Sequence, residues 1–355
     1  MIKRPLTIAV TGLNATDNPA PGVGVLRALR AASAEDHLVG LAYDALDPGI
    51  YAEDLAAEAF LIPYPSQGVE AFLGRLEYVH DRVGLDVIIP TLDSELPSFI
   101  DLAPRLREMG IATLLPTRRD LDARSKVQLA ELGRRAKINV PATAIITDES
   151  DLLRVHEKVA YPLFVKGPFY GATLARGVDE AIVAYHKVIA QWGFPVIVQT
   201  LVTGEELNVV AVGDGEGGLV GAVPMKKMMI TDKGKGWAGI TVKDPELMRM
   251  TADFMRATRW RGPCEIEVMR DGEGRYHLIE VNPRFPAWVY LSVAAGQNLP
   301  RAVVELALGQ QVESFDDYEV GAMFVRISID QVAKIGDFQR MVTMGEVIHS
   351  AGGAL

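Results

Sequence analysis

In the first third of the chain the apolar positions come as short unbroken runs. "LTIAVTGL" (6–13), "HLVGLAYD" (37–44), "AFLIPYP" (59–65), "LDVIIPTLD" (85–93) and "IATLLPT" (111–117) are separated by polar stretches or by helix-periodic ones such as "VGVLRALRAA" (23–32). Short apolar runs without alternation suit strands covered on both faces. Their alternation with helices predicts a parallel α/β sheet over residues 1–115. Ligands of such sheets gather beyond the carboxyl ends of the strands, and Asp93 and Glu95 follow "DVIIP" directly. Two roles are open for this acidic pair: holding a substrate amine, or capping the next helix.

From residue 116 the pattern changes. A helical period over "DLDARSKVQLAELGRRAKI" (120–138) leads to a strand "YPLFVKGP" (161–168), a loop "FYGATLARGV" (169–178), a helix "DEAIVAYHKVIAQW" (179–192) and a strand "FPVIVQTLV" (194–202). These predict a small α+β domain over 116–200. Strands "EELNVVAVGD" and "GGLVGAVPMKK", a polar glycine-rich loop "MMITDKGKGWAG" that reads as mobile, and a helix "DPELMRMTADFMRAT" follow. The strands "GPCEIEVMRD" and "GRYHLIEVNPRF", hinged on the turn "DGEG", complete a second α+β domain over 201–310. The remaining segment, 311–355, holds a strand-like "VGAMFVRISI" and an amphipathic "QVAKIGDFQRMV". It is expected either to complete the last domain or to form a homodimer contact.

Composition narrows the field. At 355 residues with a formal charge of −10 and no Lys/Arg block, the chain is a poor nucleic-acid binder. Cys264 is the only cysteine, which excludes an internal disulfide and suits a core thiol. The first apolar run is too short for a signal peptide or a membrane span, so a cytoplasmic protein without membrane partners is expected. Gly22 and Gly24 open a helix after the first strand, but Arg27 stands at the third glycine position, so the dinucleotide fingerprint is incomplete.

The chemistry concentrates in "HLIEVNPRF", where Glu280, Asn282 and Arg284 occupy alternate positions and so share one face of a strand. Across the turn, "CEIEVM" supplies Glu267, 13 residues before Glu280, a spacing suited to partners in a hairpin. Two carboxylates and an amide oxygen, without Cys or His, suit hard Mg²⁺ or Mn²⁺. A solvated acidic edge is the competing reading. The alternation of Ile266, Val268, Ile279 and Val281 with the polar residues favours the metal, because it implies one covered face and one that concentrates charge.

Together these two segments resemble the metal-binding hairpin of the ATP-grasp superfamily, which includes D-alanine ligase, biotin carboxylase and carbamoyl phosphate synthetase. The resemblance implies an N-terminal parallel α/β domain, a small α+β lid and a C-terminal α+β domain, with ATP and two Mg²⁺ or Mn²⁺ ions as cofactors. It assigns Glu267, Glu280 and Asn282 to the metal. Lys126, on the helix before the lid, and Lys166, ending a lid strand, would hold the phosphates. Gln199 and the backbone of Thr200 and Val202 would meet adenine, and Glu206 the ribose, with Glu205 disfavoured by strand parity. Gly171, with Gly167 and Gly177, would belong to a phosphate-covering loop, although Phe169 and Tyr170 are bulkier than that loop usually carries.

The same resemblance implies a reaction in which a carboxylate becomes an acyl phosphate and an amine then attacks it. Arg284 would grip the acyl phosphate or the incoming carboxylate. Lys227 or Lys226 would reach in from a flap that also carries Lys233 and Lys235. Trp288 and Tyr290 would wall an acceptor pocket or simply pack. In style the chain is nearest the carbamoyl phosphate synthetase-like branch, and an amino acid, a peptide or a carrier-bound peptide is the expected substrate. A bicarbonate-activating enzyme, a kinase and a non-catalytic ATP-binding regulator are the alternatives.

Overall fold

In the computed structural model, which describes residues 4–349 except 17, 168–170, 232, 233 and 235, four of the five N-terminal apolar runs become strands. They are β1 (Thr7–Thr11), β2 (His37–Ala42), β3 (Glu58–Leu61) and β4 (Val87–Ile89), joined through helices α1 (Gly22–Ala32) and α2 (Val69–Val83) and followed by α3 (Leu96–Glu108). All neighbouring pairs among them are parallel, in the order β3-β2-β1-β4. The fifth run, 111–117, makes only an isolated parallel bridge between Ala112 and Val87. Beyond it the backbone leaves the sheet, and the Leu115 carbonyl accepts from Arg261 at 3.2 Å.

Chain order reverses at β1, with β2 on one side and β4 on the other, which makes the β1/β4 carboxyl end the switch point of the sheet. Glu95 is fully buried there, and neither expected role describes it. Its carboxylate accepts from the Thr91 and Leu92 backbone at 2.7 and 2.8 Å and from the hydroxyls of Thr11 and Tyr43. It pins the loop after β4 to the ends of β1 and β2. Burial pushes this carboxyl up, against the pull of the four hydrogen bonds.

The chain divides into two compact units. One comprises residues up to Arg118, Val209–Glu265 and the chain from Asn282 onward; the other comprises Arg119–Asn208 and Ile266–Val281. The second unit begins with α4 (Arg118–Ala123) and α5 (Leu129–Ala136), where one helix was expected. After Asp122 the hydrogen bonds tighten into turns, with Ser125 bonded to Asp122 and Gln128 to Ser125, and Lys126 sits in that break. Strands β5 (Thr143–Ile146), β6 (Leu163–Lys166), β7 (Ala172–Ala175) and β8 (Val196–Thr200) form an antiparallel sheet in the order β5-β8-β6-β7. Helix α6 (Val178–Trp192) covers it, and Leu163, Val165, Val196 and Val198 form a core with Ala181, Ala184 and Val188.

A six-stranded sheet, β13-β12-β9-β10-β11-β14, comprises β9 (Gly204–Asp214), β10 (Leu219–Ile230), β11 (Gly236–Thr241), β12 (Arg261–Asp271), β13 (Tyr276–Asn282) and β14 (Met323–Val325). Most of the expected glycine-rich loop is therefore strand. Met225, Lys226 and Lys227 pair with Thr241, Ile240 and Gly239, and the ladder continues past two register shifts to Ile230 and Gly236. Met228, Met229 and Ile230 are more than half exposed, so no buried alternation marked this strand. Helix α7 (Pro245–Thr258) starts as the sequence suggests, with Asp244 accepting from the Leu247 N–H at 2.9 Å.

After α8 (Tyr290–Ala294) and α9 (Leu299–Ala307), the tail forms α10 (Ile335–Met344) and β15 (Glu346–Ile348), which runs antiparallel to β3. Part of the tail thus extends the N-terminal sheet. Cys264 is a buried thiol. Among the described residues no helix is long and apolar enough to cross a membrane.

The glycines that began the incomplete fingerprint have a packing reason. A Cβ on Gly22 would lie 2.1 Å from the Thr11 carbonyl oxygen and 2.3 Å from that of Gly12, and the Gly22 N–H donates to Gly12 at 3.1 Å. Backbone cannot yield as a side chain would. Gly22→Ala should therefore cost about 1–3 kcal/mol, as overpacking does, seen as a fall of several degrees in the melting midpoint; an unchanged melt would refute the close approach.

Candidate active site

Strand β6 alternates. Leu163 and Val165 enter the core while Phe164 and Lys166 take the other face. Lys166 lies opposite Ile197 on β8, which puts Gln199 within reach on the same face. The Lys166 ammonium donates to Gln199 Oε1 at 2.6 Å, and Gln199 Nε2 donates to Thr143 Oγ1 at 3.2 Å. Lys126, from the break between α4 and α5, donates to the Gly167 carbonyl at 3.4 Å. Desolvation lowers the pKa of both lysines. Lys166 falls to about 8, pulled down first by burial and then by the charge of Lys126, while Glu280 and Glu267 act in the opposite direction. Lys126 is lowered by burial, with Glu280 opposing.

Lys126, Lys166, Gln199, Glu267 and Glu280 therefore belong to one electrostatic group within the second unit. Two ammonium ions in a partly dry setting, with Lys126 adding to the cost at Lys166, favour a polyanion. Two carboxylates acting on the same lysine favour a divalent cation. A nucleotide with its metal supplies both.

Strand β13 carries Glu280 and Asn282 two positions apart. Of the apolar residues expected to define a single covered face, Ile266, Val268 and Val281 are fully buried but Ile279 is only half-buried. Leu278, which shares the parity of Glu280, is also fully buried. Both faces of the hairpin are thus covered, and the solvated-edge reading fails. The outer backbone is occupied as well: Leu278 donates to the Asn139 carbonyl at 2.7 Å.

In the first unit, Asn282 and Arg284 meet a carboxylate that the sequence analysis passed over. Glu265 is 6% exposed. It accepts from Trp288 Nε1 at 2.7 Å on Oε1, and from Asn282 Nδ2 at 3.3 Å and Arg284 at 3.4 Å on Oε2. Arg284 Nε also donates to Asp93 Oδ2 at 2.9 Å, which gives Asp93 a partner in this chain. The signal for Glu265 was present: it lies two before Glu267 in "CEIE" and so on the same face. Trp288 resolves to packing, buried with its N–H on Glu265. Tyr290 is half-exposed, with the Arg27 guanidinium 4.8 Å from its ring centre.

The remaining candidates are less concentrated. Gly171 has a positive φ of 85°, and Gly167 packs tightly on Trp192, while Phe169 and Tyr170 lie outside the described residues. The Thr200 N–H is given to Ala142 at 2.9 Å, and Val202 is half-buried between β8 and β9. Glu205 is paired with Arg270, which leaves Glu206 as the better ribose candidate. Lys226 and Lys227 stand on β10 rather than in a loop; Lys227 donates to the Gly234 carbonyl at 3.4 Å, and Lys233 and Lys235 lie outside the described residues.

Residues 194–332 match the family described as "ATP-grasp in the biosynthetic pathway with Ter operon". Over 175 residues the chain is 26% identical to a D-alanine–D-alanine ligase of Chromohalobacter salexigens, a match covering 44% of this chain and 54% of the ligase. Over 230 residues it is 24% identical to the carbamoyl phosphate synthase large chain of Clostridium acetobutylicum, covering 60% of this chain and 21% of that one. The fold is similar to the biotin carboxylase domain of a 2-oxoglutarate carboxylase from Hydrogenobacter thermophilus, with a TM-score of 0.69 at 16% identity over 89% of this chain and 73% of that one. This chain is an ATP-grasp protein. The mixed α/β architecture with several sheets matches that neighbour's fold. The match with the curated relatives spans about half the length of the ligase and about a fifth of the synthase chain.

Among the described residues of this ATP-grasp chain no three His, Cys, Asp or Glu side chains form a ready-made metal cluster. Glu267, Glu280 and Asn282 offer only hard oxygens, the donor type that suits Mg²⁺. Glu280→Gln nearly keeps the shape but removes a negative donor and a group that supports the charge of both lysines. It should reduce Mg²⁺-dependent ATP turnover to background while the melting midpoint stays within a few degrees of the parent. Loss of the melt would make Glu280 a structural residue instead.

Proposed function

We propose that this chain is an ATP-dependent, ADP-forming ligase that activates a carboxylate as an acyl phosphate and joins it to an amine. The observation that carries the reading is the grouping of Lys126 and Lys166 with Glu267 and Glu280. Two desolvated cations beside two carboxylates match what a nucleotide triphosphate and its metal would require. The likeness to a D-alanine ligase supports amide-forming chemistry as the outcome.

In this reading the central difficulty is bringing an anionic carboxylate up to an anionic γ-phosphate. A metal held by Glu267, Glu280 and Asn282 would screen that repulsion. Lys126 and Lys166 would hold the phosphates in line with the attacking oxygen. A carboxylate oxygen attacks the γ-phosphorus and the bond to ADP breaks. The amine nitrogen then attacks the acyl carbon, phosphate leaves with the bonding electrons, and the nitrogen gives up a proton. Arg284, oriented by Asp93 and Glu265, would face the carboxylate or acyl phosphate. Gln199 would meet adenine with its amide held by Lys166 and Thr143.

The test is ADP release from Mg²⁺ and ATP against pooled carboxylic acids, amino acids and short peptides, with and without amines, read with mass spectrometry. Carboxylate-dependent ADP and a product lighter by one water than its two parts are expected. ADP release that depends on bicarbonate alone would support a carboxylase-like enzyme, and release without any second substrate would sink both.

A pH dependence follows from Lys166. With its pKa lowered to about 8, the amine is charged below pH 8 and increasingly neutral above it. Phosphate binds the charged form, so affinity for a non-hydrolysable ATP analogue should be flat below pH 8 and weaken above it, by up to about tenfold per unit. Lys166→Arg, which does not deprotonate in this range, should flatten the profile when titrated calorimetrically. A parent profile that is level through pH 9.5 would remove Lys166 from phosphate binding.

A further inference from the structure

We infer that Glu265 is a positioning residue: it sets which end of the Asn282 amide is presented to the metal. The inference rests on reading Glu267, Glu280 and Asn282 as the metal ligands. Only the oxygen of an asparagine can coordinate a hard cation, yet the two ends of the amide are almost the same shape. Something must break that symmetry. The strand backbone does not, because rotating the amide leaves the rest of the side chain unchanged.

Glu265 supplies the asymmetry. A carboxylate accepts and does not donate, so the end of Asn282 that faces it is the nitrogen, at 3.3 Å. The oxygen is thereby kept out of that contact. Glu265 is itself fixed from two sides: the donor-only indole of Trp288 holds Oε1 at 2.7 Å, and Arg284 approaches Oε2 at 3.4 Å. Glu265, Asn282 and Trp288 are each 6% exposed, so water is a poor substitute partner. Arg284 supplies the countercharge and is steadied in turn by Asp93 at 2.9 Å. One carboxylate therefore orients both the neutral ligand and the guanidinium two residues beyond it.

Glu265→Gln is the informative variant. Its amide oxygen can still accept from Trp288, which places an NH₂ group against the Asn282 nitrogen and Arg284. Turning Asn282 over relieves the donor–donor contact and puts nitrogen where the metal needs oxygen. Mn²⁺ affinity in the presence of a non-hydrolysable ATP analogue, measured by electron paramagnetic resonance, should fall about 10- to 100-fold, the usual effect of losing an outer partner of a ligand. Binding of the analogue without metal, in chelator, should stay within about twofold. Adding Asn282→Asp to this variant should restore Mn²⁺ affinity, because a carboxylate can accept from the new amide with one oxygen and offer the other to the metal.

Unchanged Mn²⁺ affinity in Glu265→Gln would overturn the inference. So would a loss that the added Asn282→Asp does not recover. If the single variant fails to fold, the double variant is read against Asn282→Asp alone, which carries the same added negative donor: Mn²⁺ affinity at least equal to that reference is expected from orientation, and a weaker double variant would overturn the inference. The metal-site reading is checked separately by Glu280→Gln. If that change leaves Mn²⁺ affinity intact, the ligand assignment fails; if it abolishes binding while Glu265→Gln does not, only the positioning role falls.

Discussion

The candidate site in the second unit depends on two ammonium groups held partly out of water. Burial costs Lys166 and Lys126 charge, and Lys126 raises the cost for Lys166. Glu267 and Glu280 offset part of it for Lys166, and Gln199 adds a short hydrogen bond. Such a group favours a polyanion, which is what the proposed binding of nucleotide phosphates would use. A fully neutralised pair would have no reason to prefer a nucleotide over water.

The first unit answers a different need. Asn282 and Arg284 leave β13 into surroundings where both are gripped by carboxylates, and the grip comes from distant parts of the chain: Asp93 after β4 and Glu265 on β12. The loop that carries Asp93 is itself anchored by Glu95, whose carboxylate takes two backbone N–H groups and two hydroxyls. A buried acid satisfied by four donors is a rigid post. The N-terminal sheet thus steadies the loop whose Asp93 accepts from Arg284.

Function, on this view, depends on orientation as much as on the presence of ligands. Three oxygen donors and two lysines were identifiable as residue types. Behind them each unit has its own hydrogen bonding, Trp288 to Glu265 to Asn282 in one and Thr143 to Gln199 to Lys166 in the other. These supporting residues have ordinary chemistry and acquire meaning only from what they touch.

Local pattern by itself determined the parallel α/β beginning, the α7 start at Asp244, the hairpin of β12 and β13, and the alternation that puts Glu280 and Asn282 on one face. Each of these depends on neighbours within a few residues, where side-chain period and capping act. Tertiary structure decided the rest. The helix through Lys126 gave way to turns at Ser125 and Gln128, where Lys126 reaches the distant Gly167 carbonyl. The strand through Lys226 and Lys227 ran on because β11 completed its ladder where no burial marked it. Trp288 became packing and Glu265 became an anchor because residues 23 apart met in a dry interior. Long-range partners leave no period in the sequence, so the candidate ligands could be read from it, while the contacts that aim them required the fold.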